Sequence, residues 1–160
     1  MAIRKILTEP NKLLRRISES VKKVGGIERK IMDDMLDTMY AAPGIGLAAI
    51  QIGIPKRIIV MDISRDENKN KEKSKYEEGC LSVPGQFAQI DRPDLCHIKY
   101  LDYTGKHQEL KAEGLLATCV QHEIDHLNGI LFIDYLSKLK KDMIIKKLVK
   151  RKKEIERIVV

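Results

Sequence analysis

The chain has 160 residues, 43% of them hydrophobic and 33% charged, which fits one soluble globular domain over 1–160 and excludes disordered, collagen-like and disulfide-stapled classes. No apolar run reaches the ~18 residues of a membrane span, and the opening stretch through Arg4 and Lys5 is charged too early for a secretion signal, so the expected location is the cytoplasm, with no membrane partner. The formal net charge of +7 sits wholly on the tail: residues 137–160 hold ten Lys or Arg against three Asp or Glu, while residues 1–136 hold twenty of each.

In chain order, a short helix is expected at 13–17. Residues 27–39 place Ile27, Ile31, Met32, Met35, Leu36 and Met39 at three- and four-residue steps, predicting an amphipathic helix that Pro43 stops. The β-branched run 57–63 reads as a buried strand. Residues 64–78 are nearly all polar and read as a surface loop. Residues 98–103 and 108–112 alternate about Thr104-Gly105 like a hairpin. From Gly114 good helix formers run to a terminating Gly129. The tail, 137–153, puts Leu139, Met143, Ile144, Leu148 and Val149 at helical steps between lysines, predicting an amphipathic helix docked on the body. The fold class expected is α+β, mostly antiparallel sheets around the 114–129 helix, with an N-terminal and a C-terminal helix.

Within that central helix, His122-Glu123-Ile124-Asp125-His126 is H-E-x-x-H. Residues four apart lie one turn above each other, so both imidazoles can reach one metal ion, with Glu123 beside it to handle a water proton. An open catalytic site normally takes three protein ligands and a water. Phe132 stands where a metzincin's third histidine belongs, which excludes that class. The remaining candidates are His97, His107, Asp134 and the cysteines Cys80, Cys96 and Cys119, which cannot all pair and are expected to be reduced. Cys80 stands out by its setting between Gly79 and Pro84, which would hold its thiol at a fixed point. Cys119 reads as pocket lining, and Cys96 as an inert strand cysteine. Upstream, Gly44-Ile-Gly-Leu-Ala-Ala-Ile-Gln51 is too weak for a phosphate loop. Its small residues allow close backbone approach, and Gln51 offers an amide for an oxygen that becomes negative. Taken alone, though, it reads as an exposed glutamine after a tight strand entry.

Together, Gly44–Gln51, Glu78-Gly-Cys-Leu-Ser82 and Gln121-His-Glu-Ile-Asp-His126 resemble the three signature motifs of the peptide deformylase family, in the same order. The resemblance implies that Cys80, His122 and His126 are ligands of one divalent metal per chain, with Fe(II) typical and Zn(II), Ni(II) or Co(II) accepted. It implies that Glu123 is the general acid and base, that metal-bound hydroxide is the nucleophile, and that Gln51 and the Leu81 N–H polarise the formyl oxygen. Gly44, Ile45, Gly46, Leu115 and Cys119 would bind substrate, the N-formyl-methionine end of newly made polypeptides. Family members commonly carry a further strand with an Ile-Asn-Pro segment where this chain has 64–78, which touches the groove rim rather than the metal site. The alternatives weighed are a zincin-like peptidase with Asp134 or a distant Glu as third ligand, and a nucleic-acid or ribosome-binding module resting on the basic tail. No aromatic residue lies among those lysines for base stacking, so the tail reads as a solvated helix face, with ribosomal RNA contact as the weaker reading and no specific DNA partner.

Overall fold

A computed structural model describes residues 2–65 and 76–158. Among them the elements run α1 (Gly26–Ala41), β1 (Gly46–Ala48), β2 (Ile59–Met61), β3 (Glu77–Cys80), β4 (Val83–Gln89), β5 (Leu95–Leu101), β6 (His107–Glu113), α2 (Gly114–Leu127) and α3 (Lys138–Ile158), joined in part by short 3-10 turns. The strands pair antiparallel as β1 with β2, β3 with β4 and β5 with β6, and the α+β arrangement expected from the pattern is present. The expected short helix near 13–17 is a 3-10 turn, Lys12–Arg15, capped by the Asn11 side chain. Most of the expected 64–78 loop lies outside the described residues, but its end does not. Glu77 and Glu78 are strand, and Glu78 is buried.

The amphipathic face of α1 carries Met35 and Met39, fully buried against Leu47, Ile58 and Val60 of the β1–β2 region. Ile27, counted on that face from the periodicity, is 70% exposed. It sits in the overhanging first turn, where Glu28 instead accepts a hydrogen bond from the Gly25 N–H and pairs with Lys56. On the other side of the molecule Ala117 and Val120 of α2 pack with Ala112 against Cys96, Ile98 and Leu110 of the β5–β6 hairpin. The central helix α2 is thus held from two directions. Its start is the turn at Gly114, where φ is +58°. Its end is a Schellman motif: the Ile130 N–H reaches the Asp125 carbonyl at 2.9 Å and the Gly129 N–H reaches that of His126 at 3.1 Å. Gly129 has φ +74°, and a Cβ there would collide with the Arg15 carbonyl. That lock fixes the turn which carries His126.

The tail helix is docked, by a narrower face than the pattern indicates. Ile144, Ile145 and Leu148 join a cluster with Val83, Ile90, Leu131 and Phe132. Leu139 and Met143 are 73% and 51% exposed, because the chain enters α3 from the 3-10 turn Phe132–Tyr135 and only then meets β4. Residues 151–158 are exposed throughout. Burial therefore predicts a split along one helix. Leu148→Ala should lower unfolding free energy by about 2–5 kcal/mol, and Ile155→Ala by no more than about 0.5 kcal/mol, read from urea unfolding.

Candidate active site

Three segments from different elements converge on the buried face of α2. From the helix come His122, Glu123 and His126, which are 9%, 4% and 1% exposed. The imidazoles stand edge to face, ring centroids 5.0 Å apart, as a four-residue step on a helix requires. From the end of β3 comes Cys80, whose Sγ lies 3.2 Å from His126 Nε2. One donor atom from each of Cys80, His122 and His126 falls within 4.8 Å of the others. The third segment is the 3-10 turn Ala49–Ile52 after β1, which carries Gln51. This glutamine is 1% exposed, not exposed as its local sequence reads, because its side chain turns inward. Its Oε1 accepts from the Ala48 N–H at 2.8 Å, and its Nε2 donates to Ser82 Oγ at 3.0 Å and points at Cys80 Sγ at 3.6 Å.

A second layer holds His122, whereas His126 Nδ1 is buried with no hydrogen-bond partner. His122 Nδ1 donates to Glu78 Oε2 at 2.8 Å, which leaves Nε2 for the cluster and fixes the ring plane. Glu78 is in turn gripped by Arg92 through both carboxylate oxygens, and Arg92 reaches Asp125 at 2.9 Å. Tyr135 lies against the guanidinium, 5.1 Å from its ring centre, and donates to Asp125. Phe132, where another class would place a histidine, stacks on His122 at 6.3 Å. Glu78 and Asp125 fall inside the motifs without a role of their own, and neither Arg92 nor Tyr135 stood out in the sequence. One signal was present for Glu78: it lies two residues before Cys80 in the same short motif.

The electrostatics follow from this layering. Burial alone would raise the Glu78 carboxyl, but the hydrogen bonds from His122 and Arg92 outweigh it and hold it below the usual range. Burial opposes the charged form of His122 too, yet Cys80 and Glu78 hold its pKa well above the ordinary value. His126 is driven well below by burial, with the positive charges of His122, Arg15 and Arg92 adding to it. Burial raises Glu123 to about 7, with the positive charge of His122 opposing. Its Oε2 is buried with no hydrogen-bond partner, an acceptor that an incoming water or N–H would satisfy. Gly46 makes room for it, since a Cβ there would run into the Glu123 carboxylate and press on Cys119 Sγ.

These residues open onto a cleft of about 800 Å³ lined by Gly44, Ile45, Gly46, Gln51, Cys80, Leu81, Leu115, Cys119, His122 and Glu123. The site residues expected from the sequence are therefore gathered in one place. The other third-ligand candidates are elsewhere. Asp134 is engaged by the Leu131 N–H, Arg15 and Lys141; Cys96 packs under the hairpin with its thiol pushed up by burial; His97 and His107 are exposed on β5 and β6. Among the described residues, Cys80, His122 and His126 form the group of metal-ligating type.

Residues 3–142 match the profile of the polypeptide deformylase family. The chain belongs to that family. It is 70% identical to a peptide deformylase of Pelagibacter ubique over 95% of this chain and 96% of that protein, and 50% identical to one of Rhizobium meliloti over 96% of each. A crystal structure of peptide deformylase from Ehrlichia chaffeensis in complex with actinonin superposes with TM-score 0.88 at 45% identity, covering 94% of this chain and 98% of that one. One from Legionella pneumophila gives 0.85 at 45%, covering 98% and 99%. The family is one of metal-dependent hydrolases, and no helix among the described residues is long and apolar enough to cross a membrane. The resemblance read from the three motifs is correct.

The Arg92 layer makes its own prediction. With a side chain 6% exposed between two carboxylates, Arg92→Met strands buried charge and should cost about 3–5 kcal/mol of stability. Lys99→Met, which removes one end of the exposed Lys99–Glu109 pair, should change urea unfolding by no more than about 0.5 kcal/mol.

Proposed function

We propose that the chain removes the formyl group from the N-terminal formyl-methionine of newly made polypeptides, releasing formate, in the cytoplasm. The observation that carries this reading is the meeting of Cys80, His122 and His126 beside an unpartnered Glu123 oxygen in an open cleft. The donor set fits a divalent cation. A thiolate and two imidazoles, one braced by a carboxylate, suit Fe(II), Zn(II), Ni(II) and Co(II) alike. A cation held there supplies Lewis acidity, bringing the pKa of a bound water toward neutrality.

The chain's own groups do the rest. Glu123 accepts the proton of the attacking water as its oxygen closes on the formyl carbon, then delivers that proton to the amine nitrogen as the C–N bond breaks. Gln51, fixed through the Ala48 N–H, presents its amide N–H beside Cys80, and the Leu81 N–H lies in the next peptide unit. In this reading both donate to the formyl oxygen as it gains charge, the role that the family resemblance implies for them. Gly44 and Gly46 line the cleft, and in this reading an extended substrate backbone lies along them. Ile45, Leu115 and Cys119 form an apolar recess suited to the methionine side chain.

Purified anaerobically, the protein should carry close to one metal ion per chain and release formate from formyl-Met-Ala-Ser without cleaving an unblocked peptide. Cleavage of the unblocked peptide would favour the peptidase reading. Cys80→Ser should lose both metal and activity, whereas Asp134→Asn should keep its metal. Glu123→Gln should keep its metal while kcat falls by about 10²–10⁴-fold.

A further inference from the structure

The cleft continues outward beyond the candidate metal cage, and its outer wall is the β3–β4 hairpin. Along β4 the side chains alternate in and out, with Gly85, Phe87 and Gln89 on the exposed side. Phe87 pairs with Gly79 in the register, and its ring lies across that glycine: Cε1 and Cδ1 stand 2.5 and 2.7 Å from where a Cβ would be. A ring resting on bare backbone is seated, not swinging free, yet Phe87 is 64% exposed. Gly79 adjoins Cys80, so the ring stands one residue along the strand from the thiol. A lone exposed aromatic is ordinary on any surface. One that is braced by a glycine and lines a substrate cleft is different, because it offers apolar area whose ordering is already complete. Tyr76, Leu81 and Pro84 line the same cleft, and Glu77 adds a negative charge to it.

We propose that Phe87 is a specificity-determining residue that selects an apolar side chain at the second or third position of the substrate. The inference rests on the deformylase reading. With methionine in the Ile45, Leu115 and Cys119 recess, the remaining chain must leave through the open side. An extended peptide advances roughly 3.3 Å per residue and turns successive side chains to opposite faces. One of the two residues after methionine therefore faces the β3–β4 wall, where it meets the ring of Phe87. An acidic side chain there would meet Glu77 instead.

The test uses metal-loaded wild type, Phe87→Ala and Phe87→Leu with two peptide series, formyl-Met-X-Ser and formyl-Met-Ala-X, in which X is Ala, Leu, Phe or Glu. Formate release gives kcat/KM. Wild type should favour Leu and Phe over Ala by about 5–10-fold at one of the two positions, with the difference in KM and Glu the poorest. Phe87→Ala should bring that ratio to within twofold of one, and Phe87→Leu should restore most of it. A merely structural role for Phe87 would slow all peptides equally and leave the ratio intact. That outcome, or a wild type without preference at either position, overturns the proposal. Absence of formate from every peptide would sink the deformylase reading and this proposal with it, whereas formate without side-chain preference removes only the latter.

Discussion

A helix that turns two imidazoles and a carboxylate inward cannot be held by apolar packing alone, since each buried polar group must find a partner or leave several kcal/mol uncompensated. In α2 the compensation comes from outside the helix. Glu78 on β3 takes the Nδ1 proton of His122, Arg92 neutralises Glu78, and Asp125, one turn along from Gln121 on α2 itself, takes the other side of Arg92. The charges close on one another in a buried chain, so the ring plane of His122 is set by a network spanning β3, the segment before β5 and α2. Such a network is a weak source of net stability against an apolar replacement. What it supplies is orientation, and a site that must present one nitrogen of a ring in a fixed direction needs orientation more than it needs stability.

The same constraint explains the glycines. Close approach of β1 to α2 is what brings Gln51 and the Gly44–Gly46 edge to the histidines, and it is allowed because position 46 has no Cβ to meet Glu123. Gly129 serves the other end of the helix by letting the chain reverse against Arg15. Neither position is about flexibility. Each removes a single carbon where two backbone segments, or a backbone and a carboxylate, must occupy adjoining space.

Much of this was legible because local pattern and tertiary placement coincide. The periodic apolar residues of 27–39, the alternating hairpin of 98–103 and 108–112, the H-E-x-x-H spacing and the terminating Gly129 each specify their own geometry. What was not legible depends on partners distant in sequence. Glu78 closes a run of polar residues that looks like solvent-facing loop, and it is buried only because Arg92 and His122 meet it. Gln51 looks exposed until Ala48 and Ser82 are seen to hold its amide. On α3 both Leu139 and Ile145 are apolar, and the choice between them was made by where Val83 and Ile90 stand. Ile27 fits the α1 stripe by period yet overhangs the strands that the stripe covers.

Two groups of the site depart from the rule that the others obey: Glu123, and His126 at Nδ1, each with a buried atom that has no hydrogen-bond partner. Glu78, His122 and Gln51 are braced by hydrogen bonds, while one oxygen of Glu123 is buried with no partner and its carboxyl is raised to about 7 by burial. Position 46 cannot carry a side-chain donor for it, because even a Cβ there would run into the Glu123 carboxylate. A carboxylate left open to whatever enters the cleft is destabilising in the resting protein and is what a group that must take and return a proton requires. The Arg92 network braces His122 through Glu78, and none of those hydrogen bonds goes to Glu123, which leaves that oxygen open to the cleft.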